Sequence, residues 1–427
     1  MDNFVARQAI FDRRQNVYAY ELLFRSSTAN SFDGTESSLA TSQVIANTVF
    51  SIGLENMLAG KRAFINFGRQ LLLGEWTTIL PNSAVVIEVL ETVDPDSEVL
   101  EACRNLRKQG YLVALDDFVC APQFEPLTDL ADIIKVDLRT TSRAVQKSML
   151  NRYQRLGVKM LAEKVETPEE FQWCYDAGYD YFQGYFFARP VVMRGKQVPG
   201  VKTNHLKLLE QLQRPDLDFT RLEKLISNDV SFSYRVIRYV NSGAFSHSTP
   251  IQSIRRALVI LGERETRKWI SLATLPALAR DKPDEVVSQA MLRARFCELL
   301  AAAVRPTVDS ADASLMGMFS LLDAMIDQPL AQIISALNLS DPIREALLRP
   351  HAGNRYSLIL RLVQRYELAQ WDEVRDIAVG LGLENDAVAP LYLDALRWST
   401  ELFRDTVTPT SAGEAELRPA AVGPSRG

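Results

Sequence analysis

The first half of the chain alternates short apolar, β-branched-rich runs with amphipathic stretches. The runs are FVARQAIF (4–11), VYAYELLF (17–24), RAFINF (62–67), AVVIEVL (84–90), YLVALDD (111–117), DIIKVDL (132–138), VKMLAEKV (158–165) and YDYFQG (179–184). Each has the length and residue preference of a strand. From the second run onward, segments such as SSLATSQVIANTVFSIG, DSEVLEACRNLRKQG and TPEEFQWCYDAG fill most of the gaps with helical spacing. Eight strands alternating with helices predict an α/β unit, a TIM-like (β/α)8 barrel over residues 1–195. Only DRRQN separates the first two strands, too short for the crossover that parallel neighbours need. The barrel should therefore be irregular at its start, with an antiparallel hairpin.

Around VVMRGKQVPGVKT (191–203) the pattern changes, and residues 196–203 read as a linker. Beyond it the strand-like runs largely vanish. HLKLLEQLQ, DFTRLEKLIS, SFSYRVIRYVNS, IQSIRRALVILG, RETRKWISLATLPALAR and EVVSQAMLRARFCELLAAAV have the three-and-four spacing of helices. Further helices are expected over 311–325, 341–348, 354–366, 370–381 and 385–404, making 204–404 an all-α domain. Residues 405–427 are rich in Thr, Ser, Ala, Gly and Pro and are expected to be disordered.

Composition narrows the chemistry. The net charge of −5 does not favour nonspecific DNA or RNA binding or an anionic membrane surface. Four cysteines without C-x-x-C spacing argue against a thiolate zinc site and a disulfide framework, and suit a cytoplasmic setting. No basic-then-apolar leader opens the chain, and no apolar stretch approaches the ~18 residues of a spanning helix, so membrane insertion is not expected.

Polar residues gather late in the strands: Glu21, Asn66, Glu88, Asp116, Asp117, Lys135, Asp137, Glu163, Glu166 and Gln183. In a parallel barrel that end forms the mouth where active sites are built. Clustered carboxylates repel one another unless a cation intervenes, and an all-oxygen set points to Mg²⁺ or Mn²⁺. Such a site suits phosphodiester hydrolysis; metal-assisted enolate chemistry on the same barrel is a lesser alternative.

The ordered set YELLFR, INF, IEVLET, ALDDF, IIKVDL, AEKVET and YFQGYFFARP resembles the EAL family of cyclic di-GMP phosphodiesterases over about residues 1–195. The resemblance implies metal ligands at Glu21, Asn66, Glu88, Asp116 and Asp117, with Lys135 near the attacking water and Glu163 as general base. It places Arg25, Glu91, Asp137, Glu166 and Gln183 around substrate or ligands, and Glu91 as the residue steadying a neighbouring loop. Two features depart from the family: Leu22 replaces the alanine of its signature, and VCAPQFEP (119–126) replaces a glycine-rich loop tied to metal, substrate and dimerisation. The ligands are kept and their organising loop is not, so turnover and nucleotide binding without turnover both stay open, as does a homodimer.

The stretch from LISNDVSFSYRVIRYVNSG through IQSIRRALVILGERETRKWI is similar to HDOD domains, which implies a protein-interaction role. Their HD hydrolase relatives carry a His-Asp pair where this chain reads GMFSLLD, with Ser320 and Leu321 at that place. No metal is expected in the helical domain. His247 reads as a loop histidine. Asn241 and Ser242 before Gly243 read as a helix C-terminal cap or as part of a pocket.

Overall fold

The computed structural model describes residues 4–25, 58–74, 80–118, 121–188, 200–214, 216–228, 230–241, 251, 253–335, 337, 339–349, 351–384 and 386–407. Eight strands close into a barrel in sequence order: β1 (Phe4–Asp12), β2 (Val17–Arg25), β3 (Arg62–Phe67), β4 (Val85–Val89), β5 (Leu112–Leu115), β6 (Ile133–Asp137), β7 (Lys159–Glu163) and β8 (Tyr181–Gln183). β1 runs antiparallel to both β2 and β8, and the remaining pairs are parallel. The short DRRQN connection forces that arrangement. A small interior core, including Ile10, Phe64, Val86, Ile133 and Leu161, fills the barrel.

Helices cover the parallel strands: α1 (Arg69–Leu72), α2 (Ser97–Lys108), α3 (Glu125–Thr128), α4 (Arg143–Tyr153) and α5 (Pro168–Ala177). Their starts follow local chemistry. Asp96 accepts from the Val99 amide ahead of α2, and α5 opens with a capping box between Thr167 and Glu170 and with Pro168 in its first turn. Gly184, just past β8, adopts φ 140, and a Cβ there would stand 2.2 Å from the Val165 carbonyl oxygen. Only glycine permits that approach, which lets the Val165 amide bond to the Gln183 carbonyl at 2.9 Å.

The helical domain comprises α6 (Gly200–Leu212), α7 (Phe219–Ser227), α8 (Val230–Val240), α9 (Ile254–Leu278), α10 (Asp284–Ala303), α11 (Ser310–Phe319), α12 (Leu322–Ile326), α13 (Leu330–Ser335), α14 (Asp341–Leu348), α15 (Arg355–Glu367), α16 (Trp371–Gly380) and α17 (Val388–Val407). Its apolar side chains join the outer barrel core in one cluster. None of the described helices is long and apolar enough to cross a membrane.

Several boundaries differ from expectation. α6 begins at Gly200, inside the segment read as a linker, because Lys202 is buried rather than solvated. It donates to Asp281 at 2.5 Å and to the Met325 carbonyl at 2.8 Å, in helical register with buried His205, Leu208, Leu209 and Leu212. IQSIRRALVILG and RETRKWISLATLPALAR form one element, kinked at Gly262 with φ 70. The 311–325 helix breaks at Ser320 into α11 and α12, and α17 continues to Val407, past the expected start of the tail. β5 ends at Leu115, so Asp116 and Asp117 occupy a turn rather than the strand. The expected helix over 37–53, Val119, Cys120, most of the 191–203 junction, Asp229, Ser242, Gly243 and His247 lie outside the described residues.

Gly184→Ala should destabilise the full chain by about 2–3 kcal/mol through the collision with Val165. Gly353→Ala, where an added Cβ meets nothing within 4 Å, should leave the thermal unfolding midpoint unchanged.

Candidate functional site

The barrel register decides which side chains meet. Asn66 pairs with Glu88, Asp137 with Glu163, and Gln8 with Glu21, each pair level across neighbouring strands at the mouth. At the centre stands Lys135 of β6, fully buried. Its Nζ donates to Glu88 Oε1, to Asp116 Oδ1 at 2.9 Å and to Glu21 Oε2 at 3.3 Å, and forms an ion pair with Glu163 Oε1 at 2.9 Å. One ammonium thus gathers carboxylates from β2, β4, the turn after β5, and β7.

Glu21 is fixed from two further sides. Asn66 Nδ2 donates to its Oε1 at 3.1 Å and Gln183 Nε2 to its Oε2 at 2.6 Å. Asp117 follows with φ 37, a left-handed turn that aspartate tolerates. Oxygens of Asp116, Asp117 and Glu163 lie within 4.8 Å of one another.

The electrostatics follow from burial. Desolvation pushes Glu88 well above the ordinary carboxylate range, helped by Glu21 and opposed by Lys135. Desolvation also raises Glu163 to about 8 against the pull of Lys135. At Asp116 burial acts upward, but Lys135 and hydrogen bonds win and its pKa is lowered. Asp117 is raised by burial and by Asp116. Burial alone would lower the Lys135 ammonium; four carboxylates, Glu163 first, outweigh it and raise it well above its usual value.

Asn66 Oδ1, Glu88 Oε2, Asp117 Oδ1, Glu163 Oε2 and Gln183 Oε1 are buried with no hydrogen-bond partner among the described residues. Buried acceptors without donors are rare and need explanation. All five are hard oxygens beside excess negative charge, a donor set that fits Mg²⁺ or Mn²⁺.

Other expected site residues stand apart. Asp137 is buried at the rim and accepts from Lys164 Nζ at 2.5 Å and the Arg139 amide at 2.6 Å, which hold its carboxyl below the usual range against burial. Glu166 is exposed and pairs with Arg139 at 3.5 Å, and Glu91 lies exposed in the turn after β4; the structure brings neither into the cluster. Both follow strand ends in a polar run, where sequence order cannot distinguish a side chain facing the mouth from one facing solvent. Arg25 ends β2, opposite Phe4 of β1. Ala121 is extended (φ −119), as a residue before proline should be, and Pro122–Phe124 form a single 3₁₀ turn. Among the described residues of this segment, the positive φ falls on Asp117.

Sequence reasoning missed Gln8. Its signal was a polar residue inside the apolar run FVARQAIF, level with Glu21 once the hairpin register is drawn. In the helical domain, Ser320 accepts from Arg293 Nη1 at 2.9 Å and Leu321 is buried. Asn241 donates to the carbonyls of Ile237 and Ile251 and accepts from the Ile251 amide, tying the end of α8 to the next segment.

Family models match the EAL domain over residues 36–190 and the HDOD domain over residues 198–326. Protein YuxH of Bacillus subtilis is 34% identical over 409 residues, covering 94% of this chain and 98% of its own. The cyclic di-GMP phosphodiesterase CdgJ of Vibrio cholerae is 34% identical over 404 residues, covering 94% and 93%. The chain belongs to the EAL–HDOD family. Among solved structures, the calcium/cy-diGMP complex of Klebsiella pneumoniae BlrP1 at pH 8.0 aligns at 28% identity and TM-score 0.36, over 44% of this EAL–HDOD chain and 56% of that one.

In this EAL–HDOD protein the raised Glu163 makes the metal-free fold hold a proton that the unfolded chain releases above 4.5. Its stabilising contribution is therefore complete below that value and is lost as pH rises through about 8. The lowered Asp116 and Asp137 act in the opposite sense only below their ordinary 3.8. The thermal midpoint of metal-free protein should fall between pH 5.5 and 8.5, and added Mg²⁺ should restore more of it at the higher pH. Lys135→Met should cost about 3–5 kcal/mol at pH 8 by leaving its carboxylates unpaired, and less near pH 5, well below the raised Glu163 value of about 8.

Proposed function

We propose that the barrel binds cyclic di-GMP and hydrolyses one of its phosphodiester bonds to give linear pGpG, in a site holding Mg²⁺ or Mn²⁺. The observation that carries this reading is the Lys135 cluster, one buried ammonium among four carboxylates with unpartnered acceptor oxygens beside it. The name of CdgJ, similar along nearly its whole length, supports the choice of substrate.

Glu21, Asn66, Glu88, Asp116 and Asp117 would hold the cations. When bound, these supply charge for the phosphate oxygens and make water a stronger acid. Glu163 Oε2 is the free acceptor for the proton that the attacking water gives up. Its other oxygen is tethered to Lys135 at 2.9 Å, so the free one keeps its direction. Lys135 stays charged throughout, because its surrounding carboxylates raise its pKa, and it offsets the negative charge that grows on the phosphate. Burial of both groups keeps bulk water from competing for these protons.

A second reading, nucleotide binding without turnover with output through a protein partner of the helical domain, is favoured by the segment after Phe118. It contains no glycine, and its described part settles into the ordinary 3₁₀ turn at Pro122–Phe124.

Purified full-length protein with Mn²⁺ should convert cyclic di-GMP to the linear dinucleotide, followed by chromatography. Glu163→Gln should lower turnover at least about 100-fold while calorimetric nucleotide binding persists. Binding by the unaltered protein without product would favour the second reading. Absence of both would refute the nucleotide reading altogether.

A further inference from the structure

The hydrogen bonds around Glu21 do not end inside the barrel. Gln183 Nε2 donates to Glu21 Oε2 at 2.6 Å and to Gln8 Oε1 at 3.1 Å, which uses both of its N–H groups. Gln8 Nε2 in turn donates to the main-chain carbonyl of Glu367 at 3.2 Å. A primary amide has an acceptor at one end and a donor at the other, so each of these bonds dictates the next. With the Gln8 donor drawn toward Glu367, its oxygen faces Gln183. Gln183 must then turn its donor toward Glu21, and its own Oε1 is left buried without a partner. Reversing either amide would set oxygen against carboxylate or donor against donor.

The anchor of this chain belongs to the helical domain. Glu367 is the last residue of α15, where carbonyls lack helical donors and are free to accept. Its carboxylate is gripped by the buried Arg293 of α10, Nε to Oε1 at 2.8 Å and Nη2 to Oε2 at 2.7 Å. One residue earlier, Tyr366 donates its hydroxyl to the Val5 carbonyl of β1 at 3.0 Å. The outer face of the same hairpin is held independently: Tyr20 donates to Glu285 at 2.8 Å, and Arg7 lies 4.2 Å from the Tyr20 ring centre and reaches Ser288 at 3.5 Å.

We infer that the helical domain sets the geometry of the barrel's cation site, with Gln8 as the positioning residue that transmits it from Glu367 to Glu21. The inference rests on the reading of that site as a divalent-cation centre. It goes beyond the separate roles of the two domains, because a side-chain cluster in one would be incompletely ordered without the other. Arg293 also donates to Ser320, so a rearrangement near Ser320 has a direct route to Glu367.

The test is Mn²⁺ titration of the full-length chain at pH 8, followed by electron paramagnetic resonance, alongside thermal unfolding. Gln8→Met removes both amide bonds at nearly constant length. It should weaken Mn²⁺ binding about ten-fold, as loss of a group that orients a ligand typically does, with the thermal midpoint little changed. Glu367→Gln breaks the ion pair to Arg293 and should weaken binding about three-fold, but should add nothing in the Gln8→Met background. Unchanged affinity in folded Gln8→Met, or fully additive losses in the double variant, would overturn the inference while leaving the cation site standing. If Gln8→Met fails to fold, wild-type affinity in Glu367→Gln overturns it equally. No Mn²⁺ binding by the unaltered chain would remove the reading of the site, and this inference with it.

Discussion

Everything at the barrel mouth depends on one buried ammonium. The Lys135 ammonium meets the carboxylates of Glu21, Glu88, Asp116 and Glu163, and each arrives from a different strand or the turn after one. Desolvating that many acids is affordable only around a cation, and burying a lysine only around acids. Neither half of the arrangement is tenable alone. A closed barrel is what permits it, since side chains far apart in sequence share one level at the strand ends. The apolar interior beneath, from Ile10 to Leu161, keeps the pairs in low dielectric and so makes their mutual dependence strong.

The second constraint is the missing first crossover. A parallel strand pair brings a helix to cover its outer face; an antiparallel hairpin joined by DRRQN does not. Its outward side chains, Val5, Arg7, Tyr20 and Leu22, are nevertheless buried. The cover comes from α10, α15 and α17: Glu285 and Ser288 lie on the first, Tyr366 on the second, and the Tyr392 hydroxyl of the third accepts from the Arg7 amide at 3.3 Å. The barrel's irregular start and the attachment of the helical domain are therefore two views of one structural fact.

That relation marks the limit of what was legible in the chain. The strands, the hairpin and the central polar residues could be read because each depends on local pattern: β-branched runs, a five-residue connection, a charge where apolar residues end. Glu91 and Glu166 share the local pattern but not the orientation, which only the tertiary turn decides. Lys202 read as a linker residue because its partners, Asp281 and the Met325 carbonyl, lie about eighty and one hundred and twenty positions away. Gln8 was visible locally as a polar residue within FVARQAIF, but its role was not. Its meaning lies in a carbonyl 359 residues downstream, and no window of sequence contains both.

The excess of acid over base at the mouth then has a physical reading. Four carboxylates against one ammonium are costly to keep ionised when buried, and burial pushes Glu88 and Glu163 upward against the pull of Lys135. A protein selected for stability alone would replace such groups with apolar ones of equal volume, which is commonly neutral or favourable. Here the acids are instead held by Asn66, Gln183 and Lys135, and a divalent cation in this site would compete with protons for them. On the proposed reading of the site, folding and cation binding would be coupled through the same carboxylates. Because Glu21 is oriented through Gln183 and Gln8 from α15, the packing of the helical domain would enter that coupling as well.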